Sequence, residues 1–294
     1  MASALVRELV ESGVHFGHRV SRWNPKMAPY IFGKRNSIHI IDIRETIKGL
    51  LRAKKFLSAV VAQGHDVLIV GTKRQAREAV EKQAKRVGMH YVIERWLGGT
   101  LTNFKTIRSR LARLESLEEL ETSGRINQLT KKERATIDRE KRKITRNLDG
   151  IRRMTRLPGA LLIVDVKREH NAVREAQKLG IPTVCLVDTD SDPAAADILI
   201  PANDDAMRAI DIIMAELGDA IEEGKRSRVV AAPVDDGQQA GAAGARPRRR
   251  RRTTSEMAEE SVGGDDSVTA AMPGEPVASG ASDAGSASSV PDGV

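Results

Sequence analysis

Several protein classes require residues that this chain lacks. Its 294 residues include a single cysteine, Cys185, so no disulfide can close within it and a reducing compartment is the expectation. Aromatic residues make up only 3%, as 2 Trp, 2 Tyr and 4 Phe, which leaves an aliphatic core. No apolar run approaches the roughly 20 residues that cross a bilayer, and the start Met1-Ala2-Ser3-Ala4-Leu5 has no secretory apolar centre. The expectation is a soluble, cytoplasmic protein with no membrane partner. Neither a dinucleotide glycine pattern nor a Walker A loop is present, and no Ser/His/Asp or Cys/His arrangement has local support.

Basic charge is abundant. The net charge is +8, and its distribution is uneven. Residues 1–104 carry 18 Lys/Arg against 8 Asp/Glu, and residues 105–156 carry 16 against 8. Residues 157–224 reverse this, with 5 against 14. A polyanion is therefore expected to meet the first half of the chain and to avoid the 157–224 lobe.

Hydropathy patterning gives the organisation. Leu5, Val6, Leu9 and Val10 mark a short amphipathic helix ended by Gly13. His15 to Lys26 reads as extended, since Pro25 and Pro29 forbid a continuous helix. Tyr30-Ile31-Phe32 and Ile38-His39-Ile40-Ile41 flank Gly33 to Ser37 as a hairpin. Asp42 and Glu45 stand at capping-box spacing before a helix that runs to about Gln63. From Asp66 onward, strands alternate with helices. The strands are Val67–Val70, Tyr91–Ile93, Ala160–Val164, Thr183–Val187 and Ile198–Ile200; the helices are Lys73–Val87, His170–Leu179 and Asp204–Glu223.

The fold class is α/β, a Rossmann-like or flavodoxin-like parallel sheet flanked by helices. Between its halves, Phe104, Ile107, Leu111, Leu114 and Leu117, then Ile137, Ile144, Leu148 and Ile151, recur at helical spacing around Ser123-Gly124, with Thr130 and Glu133 as a second capping box. This is an inserted antiparallel coiled-coil helical hairpin. The expected divisions are 1–65 (helix, basic segment, hairpin and helix), 66–102 with 157–226 (sheet domain), 103–156 (inserted hairpin) and 227–294, a tail expected to be disordered. The tail contains the run Arg246 to Arg252 and an acidic end.

Four constellations carry chemistry. Arg19, Arg22, Trp23, Lys26, Tyr30, Lys34 and Arg35 combine cations for phosphates with rings that can stack on unpaired bases. Trp23 and Tyr30 can equally serve as packing. Gly71-Thr72-Lys73-Arg74-Gln75, between a strand and a helix start, offers a phosphate site to an RNA binder or to a nucleotide-binding enzyme. His15, His18 and His39 lack the ligand set of a metal site, so no metal is expected there. Asp188, Asp190, Asp192, Asp204 and Asp205 follow strands, where turns and helix caps account for them more simply than a magnesium ion. Cys185, inside an apolar strand, reads as core.

Gly13 to His18, Arg22 to Met27 and Tyr30 to Gly33 resemble the N-terminal signature of the bacterial ribosomal protein S2 family. Arg95-Trp96-Leu97-Gly98-Gly99-Thr100-Leu101-Thr102-Asn103-Phe104 is similar to its central motif. Asp165-Val166, Glu169-His170, Leu179 to Pro182, Val187 to Thr189 and Ile200 to Ala206 resemble its later signature, so the likeness covers roughly residues 1–226. The tail after Arg228 departs from the pattern. The resemblance implies a non-enzymatic structural constituent of the small ribosomal subunit, without cofactor or small-molecule substrate. Its implied partners are small-subunit (16S) ribosomal RNA, ribosomal protein S1 and neighbouring small-subunit proteins. The candidate RNA contacts are Arg19, Arg22, Trp23, Lys26, Lys34, Arg35, Lys73, Arg74, Arg95, Lys105 and Arg108. The rival reading is a nucleotide- or sugar-phosphate-binding α/β enzyme using Gly71–Arg74 and the Asp188–Asp205 edge.

Overall fold

A computed structural model describes the backbone of residues 2–231 and the side chains of 4–228. Both the arginine run and the acidic end of the tail lie outside the described residues. Five parallel strands form the central sheet: β4 (Val67–Val70), β5 (His90–Val92), β6 (Ala160–Val164), β7 (Thr183–Val187) and β8 (Ile198–Pro201). Their spatial order is β5-β4-β6-β7-β8, the doubly wound arrangement in which the chain reverses direction beside β4.

Alternation along the strands divides the core. Val67, Ile69, Leu162, Val164, Val184 and Leu186 face one side. They pack there with α2 (Ile43–Ala62), α3 (Arg77–Val87) and α7 (Met207–Ala231). Leu68, Val70, Leu161, Ile163, Cys185 and Val187 face the other. On that side lie α6 (His170–Leu179) and the base of a helical hairpin, α4 (Phe104–Thr122) and α5 (Lys131–Leu148). Burial pushes the Cys185 thiol up to about 12, so it is inert core.

A smaller antiparallel sheet precedes this domain, in the order β1 (Phe16–Arg19), β3 (Ile38–Ile41), β2 (Ile31–Arg35). It follows helix α1 (Ala2–Glu11), whose Leu9 enters the core. Three expectations need correction here. The stretch from His15 to Lys26 is a short strand followed by 3-10 turns at Val20–Arg22 and Pro25–Tyr30, where proline fixes φ for a tight turn. The β2–β3 turn is Asn36-Ser37, both with positive φ, while Gly33 lies within the strand. Finally, α3 begins at Arg77, four residues later than Lys73, because residues 72–76 form a turn that closes by Ala76 and Arg77 N–H donating to the Lys73 carbonyl.

The caps follow the sequence reading with one exception. Thr130 and Glu133 make both bonds of the capping box of α5. Asp42 caps α2 by accepting from Arg44 N–H, but Glu45 pairs with Lys48 at 2.6 Å instead of returning to the cap.

Candidate nucleic-acid interface and the carboxyl edge

The carboxyl edge of a doubly wound sheet is the usual ligand site, yet here the chain fills its own edge. Residues 13–24 lie across β7 and β8: Asn203 N–H donates to the Val14 carbonyl at 2.9 Å, and Asn24 N–H to the Thr189 carbonyl at 2.8 Å. Gly17 permits this approach, since a Cβ there would stand 2.5 Å from Thr189 Cγ2. Beside β4, Thr72 N–H donates to Glu169 Oε1 at 3.0 Å, the Thr72 hydroxyl donates to the same oxygen, and Arg168 Nε donates to that hydroxyl at 2.9 Å. An internal carboxylate thus occupies the turn that a phosphate would use.

Lys73 belongs to the same filled edge. Its Nζ lies 2.7 Å from Asp204, 2.6 Å from Asp205 and 3.6 Å from Asp165. Burial alone would lower the Lys73 pKa, but these carboxylates outweigh it and hold the pKa above its ordinary value. The Asp204 pKa is raised as well: burial pushes it up, the Asp188 and Asp165 charges add to that, and Lys73 opposes. The Asp188 carboxylate beside His18 raises the imidazole pKa against the effect of burial. Lys73 is therefore engaged as an internal counter-ion of the Asp165, Asp204 and Asp205 carboxylates in this fold.

The remaining candidates divide by position. Arg19, Arg22, Lys34 and Arg35 are exposed and make no ion pair among the described residues. Arg19 and Arg35 both align with Ile38 from opposite sides of β3, and Lys34 aligns with His39. Arg22 follows β1 by one short turn. All four cations gather at one end of the small sheet. Lys26 is exposed but paired with Asp192 at 2.6 Å. Trp23 is half-buried and stacks on His39, ring centroids 4.9 Å apart, and Tyr30 packs against the core, so packing takes both rings. The most exposed phenylalanine ring among the described residues is Phe32, 81% accessible on β2, which the sequence reading did not select. Its outward position on a hairpin strand with Ile31 turned inward was the available signal.

A second basic surface lies at the hairpin base. Trp96, Gly99, Leu101 and Thr102 all donate to the Glu175 carboxylate of α6, which fixes the loop leading into α4. This positions the exposed Arg95, Lys105 and Arg108, the last of which also donates to the Met154 carbonyl at 3.2 Å. Arg74 is exposed in the turn after β4. Arg77, Arg95, Arg142, Lys143 and Arg146 line an open groove of about 500 Å³ in which Glu94 is the one carboxylate, paired to Arg77 and Arg146. Arg142, Lys143 and Arg146 were missed, although Arg139, Arg142, Lys143 and Arg146 recur at helical spacing along α5.

Residues 9–224 match the family described as Ribosomal protein S2. This chain belongs to the ribosomal protein S2 family. It is 61% identical over 234 residues to the small ribosomal subunit protein uS2 of Rhodopirellula baltica, covering 79% of this chain and 90% of that protein. The uS2 proteins of Acidothermus cellulolyticus and Koribacter versatilis are 51% and 50% identical, over 80% and 77% of this chain and 86% and 75% of theirs. An S2 protein is a structural ribosomal protein and not an enzyme, so the phosphate-binding enzyme reading is set aside. The internally filled carboxyl edge agrees with that outcome.

Proposed function

We propose that this S2 protein is a structural constituent of the small ribosomal subunit in the cytoplasm and binds small-subunit (16S) ribosomal RNA chiefly through the end of its small sheet. The observation that carries this reading is the set of four exposed, unpaired cations, Arg19, Arg22, Lys34 and Arg35, beside the exposed Phe32 ring. Cations without internal partners are free to neutralise phosphates, and an exposed ring stacks on an unpaired base. Arg74, Arg95, Lys105 and Arg108, with the Arg142–Arg146 groove, form the second contact. The test is occupancy: a chain carrying Arg22→Glu, Lys34→Glu and Arg35→Glu is expected to be depleted from purified small subunits. Full occupancy would show that another face makes the contact.

Contact with neighbouring small-subunit proteins, ribosomal protein S1 among them, is part of the proposal. It is supported by the family resemblance and by exposed apolar side chains away from the cations, Val10 on α1 and Leu51 on α2. Small subunits carrying Leu51→Glu are expected to retain this protein and to lose S1 in a sedimentation assay.

A further inference from the structure

Glu94 is an unexpected residue in the groove at the hairpin base. The groove gathers five cations, Arg77, Arg95, Arg142, Lys143 and Arg146, and a carboxylate among them lowers its attraction for an anion. The hydrogen bonds show what Glu94 does there. Its Oε1 accepts from Arg77 Nη1 at 3.0 Å, and its Oε2 accepts from Arg146 Nε and Nη2 at 3.1 and 2.9 Å. One side chain thus holds two guanidinium groups from separate elements, the first residue of α3 and the last turn of α5.

The backbone on either side of Glu94 is anchored. Ile93 packs against the core, and Trp96 is 7% exposed and donates to Glu175 at 3.0 Å. Arg77 is fixed a second time, its Nε donating to the Thr72 carbonyl at 3.2 Å. Both arginines still have donors to offer, since Arg77 Nη2 and Arg146 Nη1 make no hydrogen bond among the described residues. Arg95, Arg142 and Lys143 make no ion pair among the described residues, so the groove keeps a positive excess despite Glu94.

We infer that this groove is a clamp for phosphates of the RNA backbone and that Glu94 is its positioning residue, an inference that rests on the RNA-binding function proposed above. A surface arginine loses rotamer freedom when it grips a phosphate, and one already held in place loses less. A guanidinium fixed in orientation can present paired N–H groups to two phosphate oxygens. Contacts of this kind set where the RNA lies on the protein.

The experiment measures the affinity of the full chain for small-subunit ribosomal RNA across a salt series. Glu94→Gln makes the groove more positive, so charge alone predicts tighter binding. The clamp predicts the opposite, about tenfold weaker binding at fixed salt, because two cations lose their orientation. In a chain that already carries Arg77→Gln and Arg146→Gln, Glu94→Gln is expected to change affinity by less than about twofold, since it acts through those two residues. Arg142→Gln together with Lys143→Gln, neither bonded to Glu94, is expected to reduce the salt slope by about 1.4–1.8. That variant reports on the groove even if Glu94→Gln lowers the melting temperature. Equal or tighter binding by Glu94→Gln, or a tenfold loss that persists without the two arginines, overturns the positioning role. An unchanged slope in the Arg142 and Lys143 variant overturns the groove as a phosphate site and leaves the small-sheet contact standing. A parent chain without salt-dependent RNA binding overturns the proposed function and this inference together.

Discussion

At the residue scale, single side chains decide the architecture by what they accept. Glu175 gathers four backbone or indole N–H groups from the 96–102 loop, and without it those donors would be left half-buried and unpaired. Burial pushes the Glu175 carboxyl up, but the donors from Trp96, Thr102, Leu101 and Gly99 outweigh it, so its pKa in the fold lies below the ordinary value. Its stabilising contribution is therefore complete above about pH 4.5 and is lost as pH falls through the lowered pKa. Glu175→Gln is expected to cost about 2 kcal/mol at neutral pH. In urea unfolding, that difference should shrink as pH falls below about 4.5 and through the lowered pKa; a constant difference would mean that the charge is not what the loop uses. The same loop spans a motif visible in the sequence, but nothing local to it shows that Glu175 satisfies it. Lys73 makes the corresponding point for charge. It reads as a free cation until the fold brings Asp204, 131 residues away, to its Nζ.

At the element scale, periodicity was a sound guide wherever an element is covered on a definite face. The fully buried strands β4, β6 and β7 and the α4 seam at Ile107, Leu111, Leu114 and Leu117 are where hydropathy puts them. Boundaries governed by turn chemistry were less legible. The β2–β3 turn falls on Asn36-Ser37 and not on Gly33, because a two-residue hairpin needs positive φ at both positions and asparagine tolerates it. The onset of α3 was hidden too, since Ala76 caps it without a side-chain bond. In the hairpin, Leu114 and Leu117 are buried between the two helices and belong to neither sheet-facing core. Leu114→Ala is expected to cost about 2–5 kcal/mol, and Thr130→Ala about 1 kcal/mol through the lost cap. Hydrogen exchange is expected to quicken across residues 108–146 while β4, β6 and β7 keep their protection. Equal loss of protection in the sheet would show that the hairpin and sheet unfold as one.

At the scale of the whole molecule, the linear charge map acquires a physical sense. The acidic 157–224 region does not form a separate repellent lobe; its carboxylates neutralise cations of the first half. Lys54 meets Glu216, Lys82 meets Asp211, Arg86 meets Asp219, and Lys26 meets Asp192. Among the cations that keep no carboxylate partner within the described residues are Arg19, Arg22, Lys34 and Arg35 at the small sheet's end and Arg95, Lys105 and Arg108 at the hairpin base. Sequence showed how many cations there are, whereas pairing decides which remain available. That selection is the central claim, and the salt dependence of RNA binding tests it most directly. The affinity of the full chain for small-subunit ribosomal RNA should fall linearly with the logarithm of salt concentration, on logarithmic axes. Replacing Arg19, Arg22, Lys34 and Arg35 together by Gln is expected to reduce the slope by about 2.8–3.6, since each phosphate contact contributes roughly 0.7–0.9. Replacing the paired Lys54, Lys82 and Arg86 by Gln is expected to change it little. An unchanged slope in the first variant, or an equal reduction in the second, would contradict the account.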